Sequence, residues 1–295
     1  MVGKNILESE LASTYTFLTP TSTELNLLDA DNVKIYLASN KIDAVIHTAG
    51  LVGGIQANIK NPVDFFYKNM QMGLNIIKES YDHGIKKLIN LGSSCMYPRN
   101  ASNPLKEDII LQGELEPTNE GYALAKIGAA RLCNYITNED CSNLYRTLVP
   151  CNLYGRHDKF TTHNSHMIPA VIAKIHDAKI NGHNEVEIWG DGTARREFMF
   201  AGDLADIILN ALTKLDSLPQ VTNIGLGTDY SINDYYEAIA SVIGFNGSFN
   251  HDLTKPVGMK QKLVDIEKMK SMGWAAQSSL LSGIEQTYKF YLEQL

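Results

Sequence analysis

Tyr122 and Lys126 stand four residues apart in a stretch that reads as helix, so both fall on one face of it. An ammonium beside a phenol favours the phenolate and moves a group that normally titrates near about 10 toward a useful range. Such a tyrosine can hand a proton to a carbonyl oxygen while hydride arrives at the carbon. A chain with 14 tyrosines meets this spacing by chance roughly once, so the pair alone is a weak signal. Upstream, an apolar run ending at Leu91 leads into Gly92-Ser93-Ser94-Cys95-Met96-Tyr97-Pro98. Ligands of doubly wound sheets sit beyond the carboxyl ends of the strands, where the Ser93 hydroxyl can bond the oxygen that the tyrosine protonates. The plainer alternative is a turn whose serines cap backbone groups. Serine, tyrosine and lysine together favour carbonyl chemistry.

For those groups to meet, the chain has to bring a strand end and a helix together. Short apolar runs alternate with helical patterns through the first half, as in a parallel sheet covered by helices. Residues 43–49, 87–92 and 145–150 read as buried strands. Between them, 63–83 carries Phe66, Met70, Leu74 and Ile77 at helical spacing, and a second helix runs from about 118 to 135. After residue 155 the pattern loosens: a strand at 186–189, the loop Gly190-Asp191-Gly192-Thr193, and helices at 232–243 and 280–292. The expected fold is α/β, a doubly wound Rossmann-type parallel sheet over 1–155. A smaller C-terminal part over 156–295 is expected to send some segments back to the first.

The start departs from that class. A nucleotide-binding α/β domain opens with a strand, a Gly-rich turn and a helix whose N-terminus receives the pyrophosphate. Here the helix comes first, with Val2, Ile6, Leu7 and Leu11 as its apolar stripe and the next strand expected at 15–19. Only Gly3 can belong to the turn. Without the first strand, the strands expected on either side of its place are left with unpaired backbone groups.

Bulk properties narrow the choices. The 295 residues, 44% hydrophobic and 20% charged, suit a globular chain of one large or two modest domains. A net charge of -7 speaks against general nucleic-acid or anionic-membrane binding, though it leaves room for a local basic pocket. No apolar run approaches the roughly 20 residues of a membrane span, and Met1-Val2-Gly3-Lys4-Asn5 does not begin like a signal peptide. Cys95, Cys133, Cys141 and Cys151 show neither metal spacing nor disulfide density, which fits a reducing cytoplasm and no metal.

Longer strings are more specific. His47-Thr48-Ala49-Gly50-Leu51-Val52-Gly53-Gly54-Ile55 and the Gly92 to Pro98 string above resemble the GDP-L-fucose synthase family of the extended short-chain dehydrogenase/reductase superfamily. So do Leu115-Glu116-Pro117-Thr118-Asn119-Glu120, Asn152-Leu153-Tyr154-Gly155, Asn164-Ser165-His166, Trp189-Gly190-Asp191-Gly192-Thr193 and Arg196-Glu197-Phe198. The resemblance spans nearly the whole chain. It implies 3,5-epimerisation of GDP-4-keto-6-deoxy-D-mannose and reduction of the ketone by NADPH to GDP-L-fucose. Ser93, Tyr122 and Lys126 would then be the reductive triad, with Cys95 and His166 the acid/base pair of epimerisation. A thiol and an imidazole suit that task, because one group must take a proton from a carbon beside a ketone and another return one to the opposite face.

Substrate contacts carry over to Trp189, Arg196 and Lys262, and to Lys174 where the family has arginine; lysine keeps the charge but loses the planar fork. On the NADP(H) side, Gly3, Asp29 and Lys126 match. Ser22 stands where the family places an arginine for the adenosine 2′-phosphate, so NADPH preference is inherited from the resemblance and NAD(H) stays open. The family also implies a homodimer through two long helices per subunit, here those at 63–83 and 122–135. Because it has a methionine just before the last motif glycine, the chain is expected to begin at an internal methionine. Two other readings stay open: a related GDP-4-keto-sugar epimerase/reductase such as GDP-colitose synthase, and a non-catalytic remnant that binds a sugar nucleotide or a partner.

Overall fold

The computed structural model describes residues 1–161, 165–255 and 259–295. Helix α1 (Val2–Glu8) runs through a 3-10 turn into helix α2 (Ala30–Ser39) and strand β1 (Val45–His47). Helices α3 (Ile55–Lys60) and α4 (Pro62–Asp82) lead to strand β2 (Lys87–Leu91), helix α5 (Glu120–Glu139) and strand β3 (Leu144–Pro150). Next come β4 (Asn152–Tyr154), α6 (Met167–Ile180), β5 (Glu185–Trp189), β6 (Arg195–Arg196), β7 (Phe198–Phe200) and α7 (Ala201–Leu212). The chain closes with β8 (Val221–Ile224), β9 (Tyr230–Ser231), α8 (Ile232–Ile243), β10 (Ser248–Asp252), β11 (Gln261–Lys262), α9 (Glu267–Ser271) and α10 (Leu280–Leu292).

The α/β expectation holds. The main sheet has the order β1-β2-β3-β8 and every neighbouring pair in it is parallel. Leu88, Ile89, Leu148 and Val149 are fully buried, as strands covered on both faces require. Its fourth strand, β8, comes from the later part of the chain and pairs with β3. Helices α4 and α5 lie side by side, and glycine lets them approach: a Cβ on Gly128 would stand 2.8 Å from the Met70 sulfur, and one on Gly73 3.1 Å from Ala129 Cβ. Pro62 at the first position of α4 spends no amide hydrogen where the helix has no partner for one.

The strand expected at 15–19 does not form. A strand exists only through its partner's hydrogen bonds, and among the described residues β1 pairs on one side alone, with β2. The segment instead runs extended over the surface, its Tyr15 and Phe17 rings 5.9 Å apart and the Tyr15 hydroxyl 3.5 Å from the Leu209 carbonyl. Helix α1 is nevertheless anchored, because Ile6 is buried in the same core as Leu204 and Ile208 of α7.

A second core joins α6, α8 and α10 with β5 and β7, centred on Ile168, Ile172, Ile188, Tyr235, Ile239 and Ile284. Ser231 starts α8 with a reciprocal bond to Asp234, and Gly244, at φ 72°, ends it in the left-handed conformation. The short strands β6 and β11 pair beside this core, which puts Arg196 level with Lys262.

Candidate active site

At the carboxyl end of β2 the chain turns through a single 3-10 turn, residues 94–96, that Ser93 opens. The Ser93 hydroxyl accepts from the Cys95 amide at 3.3 Å, so the serine and the thiol-bearing residue are fixed to one another. The same hydroxyl faces the Tyr122 phenol and works against the upward shift that burial imposes on it. Tyr122 lies in the first turn of α5, edge-on to the Phe65 ring of α4 at 6.4 Å.

One turn further along α5, Lys126 is almost fully buried. Its Nζ donates to the carbonyl of Leu91, the last residue of β2, at 2.9 Å. The loop after β1 closes over it, since a Cβ on Gly50 would lie 3.8 Å from that Nζ. Burial lowers the lysine to about 8. His47, at the end of β1, is driven down to about 3 by burial and by the Lys126 ammonium, so it stays neutral. The Lys126 Nζ stands 5.8 Å from the Tyr122 ring centroid. The expected fall in the tyrosine's pKa does not occur: burial, and after it the neighbouring Cys95, push the phenol up instead. Desolvation outweighs an ammonium that is already spending a proton on a carbonyl. The phenol is therefore held protonated, the form that can give a proton to a ketone oxygen.

Cys95 receives two donors. Asn119 Nδ2 lies 3.2 Å from its sulfur and Lys262 Nζ 3.7 Å from it. Lys262 thus reaches the 94–96 turn from β11. Ser93, Cys95 and Lys262 are linked by direct contacts, and Tyr122 and Lys126 stand beside them on α5. His166 sits at the N-terminus of α6, and its neighbour Ser165 presents its carbonyl to the loop at Gly54, 3.3 Å from a Cβ built there. Asp158 faces His166; burial raises that carboxyl and the imidazole pulls it back. Asn164, next in the same motif, lies outside the described residues.

The other expected site residues lie on other elements. Trp189 at the end of β5 is 48% exposed, with Lys255 over its ring at 5.7 Å and its indole N–H on the Glu187 carboxylate at 2.9 Å. Lys174 donates to the Glu187 carbonyl at 2.5 Å. Arg196, half-buried, bonds the Arg195 carbonyl at 2.7 Å. Gly3 falls in the first turn of α1, where a Cβ would meet the Thr48 hydroxyl at 3.2 Å. Asp29 caps α2 by accepting from the Asn32 amide, which occupies its carboxylate locally.

Two asparagines were not singled out by the sequence reading. Asn69 on α4 clamps both backbone groups of Leu51, at 2.8 and 3.0 Å, and so shapes the loop that covers Lys126. Its signal was available: a polar residue on the helix face that Phe65, Gly73 and Ile76 bury. The other is Asn119, legible only as a helix start.

A doubly wound sheet that carries a serine, a protonated tyrosine and a lysine at its strand ends defines an oxidoreductase of the short-chain dehydrogenase/reductase type. The chain belongs to the NAD dependent epimerase/dehydratase family, whose profile matches residues 1–225. It is 53% identical over 294 residues to a GDP-L-colitose synthase of Yersinia pseudotuberculosis, covering 100% of this chain and 96% of that one. Identity to a GDP-L-fucose synthase of Azorhizobium caulinodans is 47%, covering 99% of this chain and 93% of the relative. Among solved structures, a GDP-mannoheptose C4 reductase from Campylobacter jejuni with NADP bound superposes with a TM-score of 0.88 at 32% identity, over 99% of this chain and 95% of that one.

Proposed function

We propose that the chain epimerises GDP-4-keto-6-deoxy-D-mannose at carbons 3 and 5 and reduces its ketone to GDP-L-fucose with NADP(H). One observation carries the reading: the Cys95 backbone amide donates to the Ser93 hydroxyl, and that hydroxyl and the Cys95 thiol both lie near enough to the Tyr122 phenol to shift its titration. Groups that close act on neighbouring atoms of one ring.

In the epimerising half, Cys95 takes a proton from a carbon beside the ketone. The electron pair moves to the oxygen as an enolate, and His166 returns a proton to the opposite face. Ser93 and Tyr122 donate to that oxygen while it is negative. In the reducing half, Tyr122 gives its proton to the same oxygen. The chemistry the cofactor supplies is hydride for the ketone carbon. Lys126 fits the cofactor side: it gives one proton to Leu91 and has two more for ribose hydroxyls. Gly3 offers a helix start without a side chain. Near Ser22, Glu24 is turned onto the Thr21 amide and hydroxyl. Arg196, Lys174 and Lys262 supply positive charge for the diphosphate, and Trp189 a ring to pack on.

The substrate assignment is tested by incubating the protein with GDP-4-keto-6-deoxy-D-mannose and NADPH and identifying the product by NMR. GDP-L-fucose is expected. Unchanged substrate, or a reduced product that keeps the mannose configuration at carbons 3 and 5, contradicts it. The higher identity to the Yersinia protein favours a second reading, in which the product is GDP-L-colitose. Turnover of the corresponding keto-sugar alone would select that one.

A homodimer is part of the proposal. Val63, Phe66, Tyr67 and Leu74 form an exposed apolar stripe on α4, and Leu124 and Tyr135 of α5 are exposed as well. A cytoplasmic location fits four cysteines that are all free.

A further inference from the structure

Asn119 stands at the residue before α5, where an asparagine side chain ordinarily accepts from a backbone amide of the first turn. It makes no such bond here. Instead its amide turns toward the catalytic loop and donates to the Cys95 sulfur at 3.2 Å. The other end of the amide, Oδ1, is buried and without a partner. A capping residue that forgoes its cap and leaves a carbonyl oxygen unsatisfied gives up stability on two counts. Both losses are explained if a bound ligand completes the site.

Resting on the epimerase reading above, we infer that Asn119 is the positioning residue for epimerisation: its Nδ2 holds the Cys95 sulfur in its charged form toward the sugar, and its Oδ1 accepts a hydrogen bond from a sugar hydroxyl. A sulfur that has given up its proton is stabilised by N–H donors, and Asn119 and Lys262 supply two. The proton that Cys95 later takes from carbon goes to the sulfur, with the electron pair left on the ketone oxygen. Asn119 itself is unchanged. Because it sits just before the helix that carries Tyr122, one local geometry serves both half-reactions.

Two variants separate this role from a structural one. Asn119→Ala removes donor and acceptor, while Asn119→Asp keeps the shape and the acceptor but replaces the donor by a negative oxygen. Each is assayed with GDP-4-keto-6-deoxy-D-mannose in deuterium oxide for isotope uptake at carbons 3 and 5. Each is also assayed for NADPH oxidation with the 4-keto sugar already in the fucose configuration. Deuterium uptake should fall by at least about tenfold in Asn119→Ala and further in Asn119→Asp, where the carboxylate repels the sulfur; the kcat for reducing the epimerised ketone, read at saturating ketone, should fall by no more than about twofold in both. KM should rise in Asn119→Ala and hold in Asn119→Asp. Uptake in Asn119→Asp equal to wild type, or equal loss of both half-reactions, overturns the role; an unchanged KM in Asn119→Ala overturns the acceptor half. Absence of uptake by the wild-type protein would instead overturn the epimerase reading on which the proposal rests.

Discussion

Around Ser93 nearly every functional atom already has a partner within the protein, whereas around Glu187 the side chains face water. Lys126 is 8% exposed and tied to a strand carbonyl, and Cys95 is held by its backbone amide and by two donors to its sulfur. Trp189, at 48% exposure, hangs from the end of a two-stranded pair, with one indole bond to a carboxylate two residues away. The difference is one of preorganisation. A reacting group must be in place before the transition state forms, since geometry paid for during folding is not charged to the reaction. A binding group can settle when its ligand arrives. Substitutions in the first region should therefore lower kcat, and those in the second should raise KM.

The largest effect is expected from Tyr122→Phe, which removes the proton donor and keeps the ring packed on Phe65. NADPH oxidation should fall by about 10²–10⁴-fold with little change in KM, as for the loss of a general acid. A drop in affinity at constant kcat would erase the contrast between the two regions.

Next is pH. Burial lowers Lys126 to about 8, so its ammonium is present below that pH and lost above it. The reductive rate should fall as pH rises through about 8. In Lys126→Arg, whose charge persists to high pH, that descending limb should vanish even if the rate is lower. A limb of unchanged position in the arginine variant would assign it to another group.

Glu197 sharpens the comparison from the structural side. It is fully buried behind Arg196 and accepts from the amides of Leu226, Gly227 and Val264 at 2.6, 2.8 and 3.0 Å. Burial nonetheless raises it to about 7. The folded protein thus keeps a proton that the unfolded chain would release near pH 4.5, and stability falls as pH rises from about 4.5 to about 7. Thermal melts should lose on the order of 1–3 kcal/mol across that window, and Glu197→Gln should flatten the profile.

The smallest effect belongs to Trp189→Ala. About a tenfold rise in KM at constant kcat is expected, roughly 1.4 kcal/mol of lost packing on the ligand. A fall in kcat instead would mean that the exposed strip takes part in the chemistry.

Much of this was readable from residue order. The helix expected at 63–83 is α4 (Pro62–Asp82), and those at 232–243 and 280–292 are α8 and α10, because apolar periodicity and capping are local. Ser93, Tyr122 and Lys126 were singled out from spacing and strand-end position, and the structure puts Ser93 just past β2 and the other two on α5. The strand at 15–19 failed because pairing is not a local property: its side chains suited a strand, but among the described residues no strand lies beside it to take its backbone bonds. The direction of the Tyr122 shift failed for a related reason. Spacing says that a lysine is near, but not that burial outweighs it. Asn119 read as an ordinary helix start, and only its side-chain direction shows that it reaches the Cys95 sulfur.

The central claim, that one sugar ring is worked on by Cys95 for epimerisation and by Tyr122 for reduction, is tested most directly by Cys95→Ser in deuterium oxide with GDP-4-keto-6-deoxy-D-mannose and NADPH. The account predicts loss of deuterium uptake at carbons 3 and 5 and of GDP-L-fucose, while the variant still oxidises NADPH with the ketone already in the fucose configuration. Uptake at the wild-type rate in that variant would contradict it.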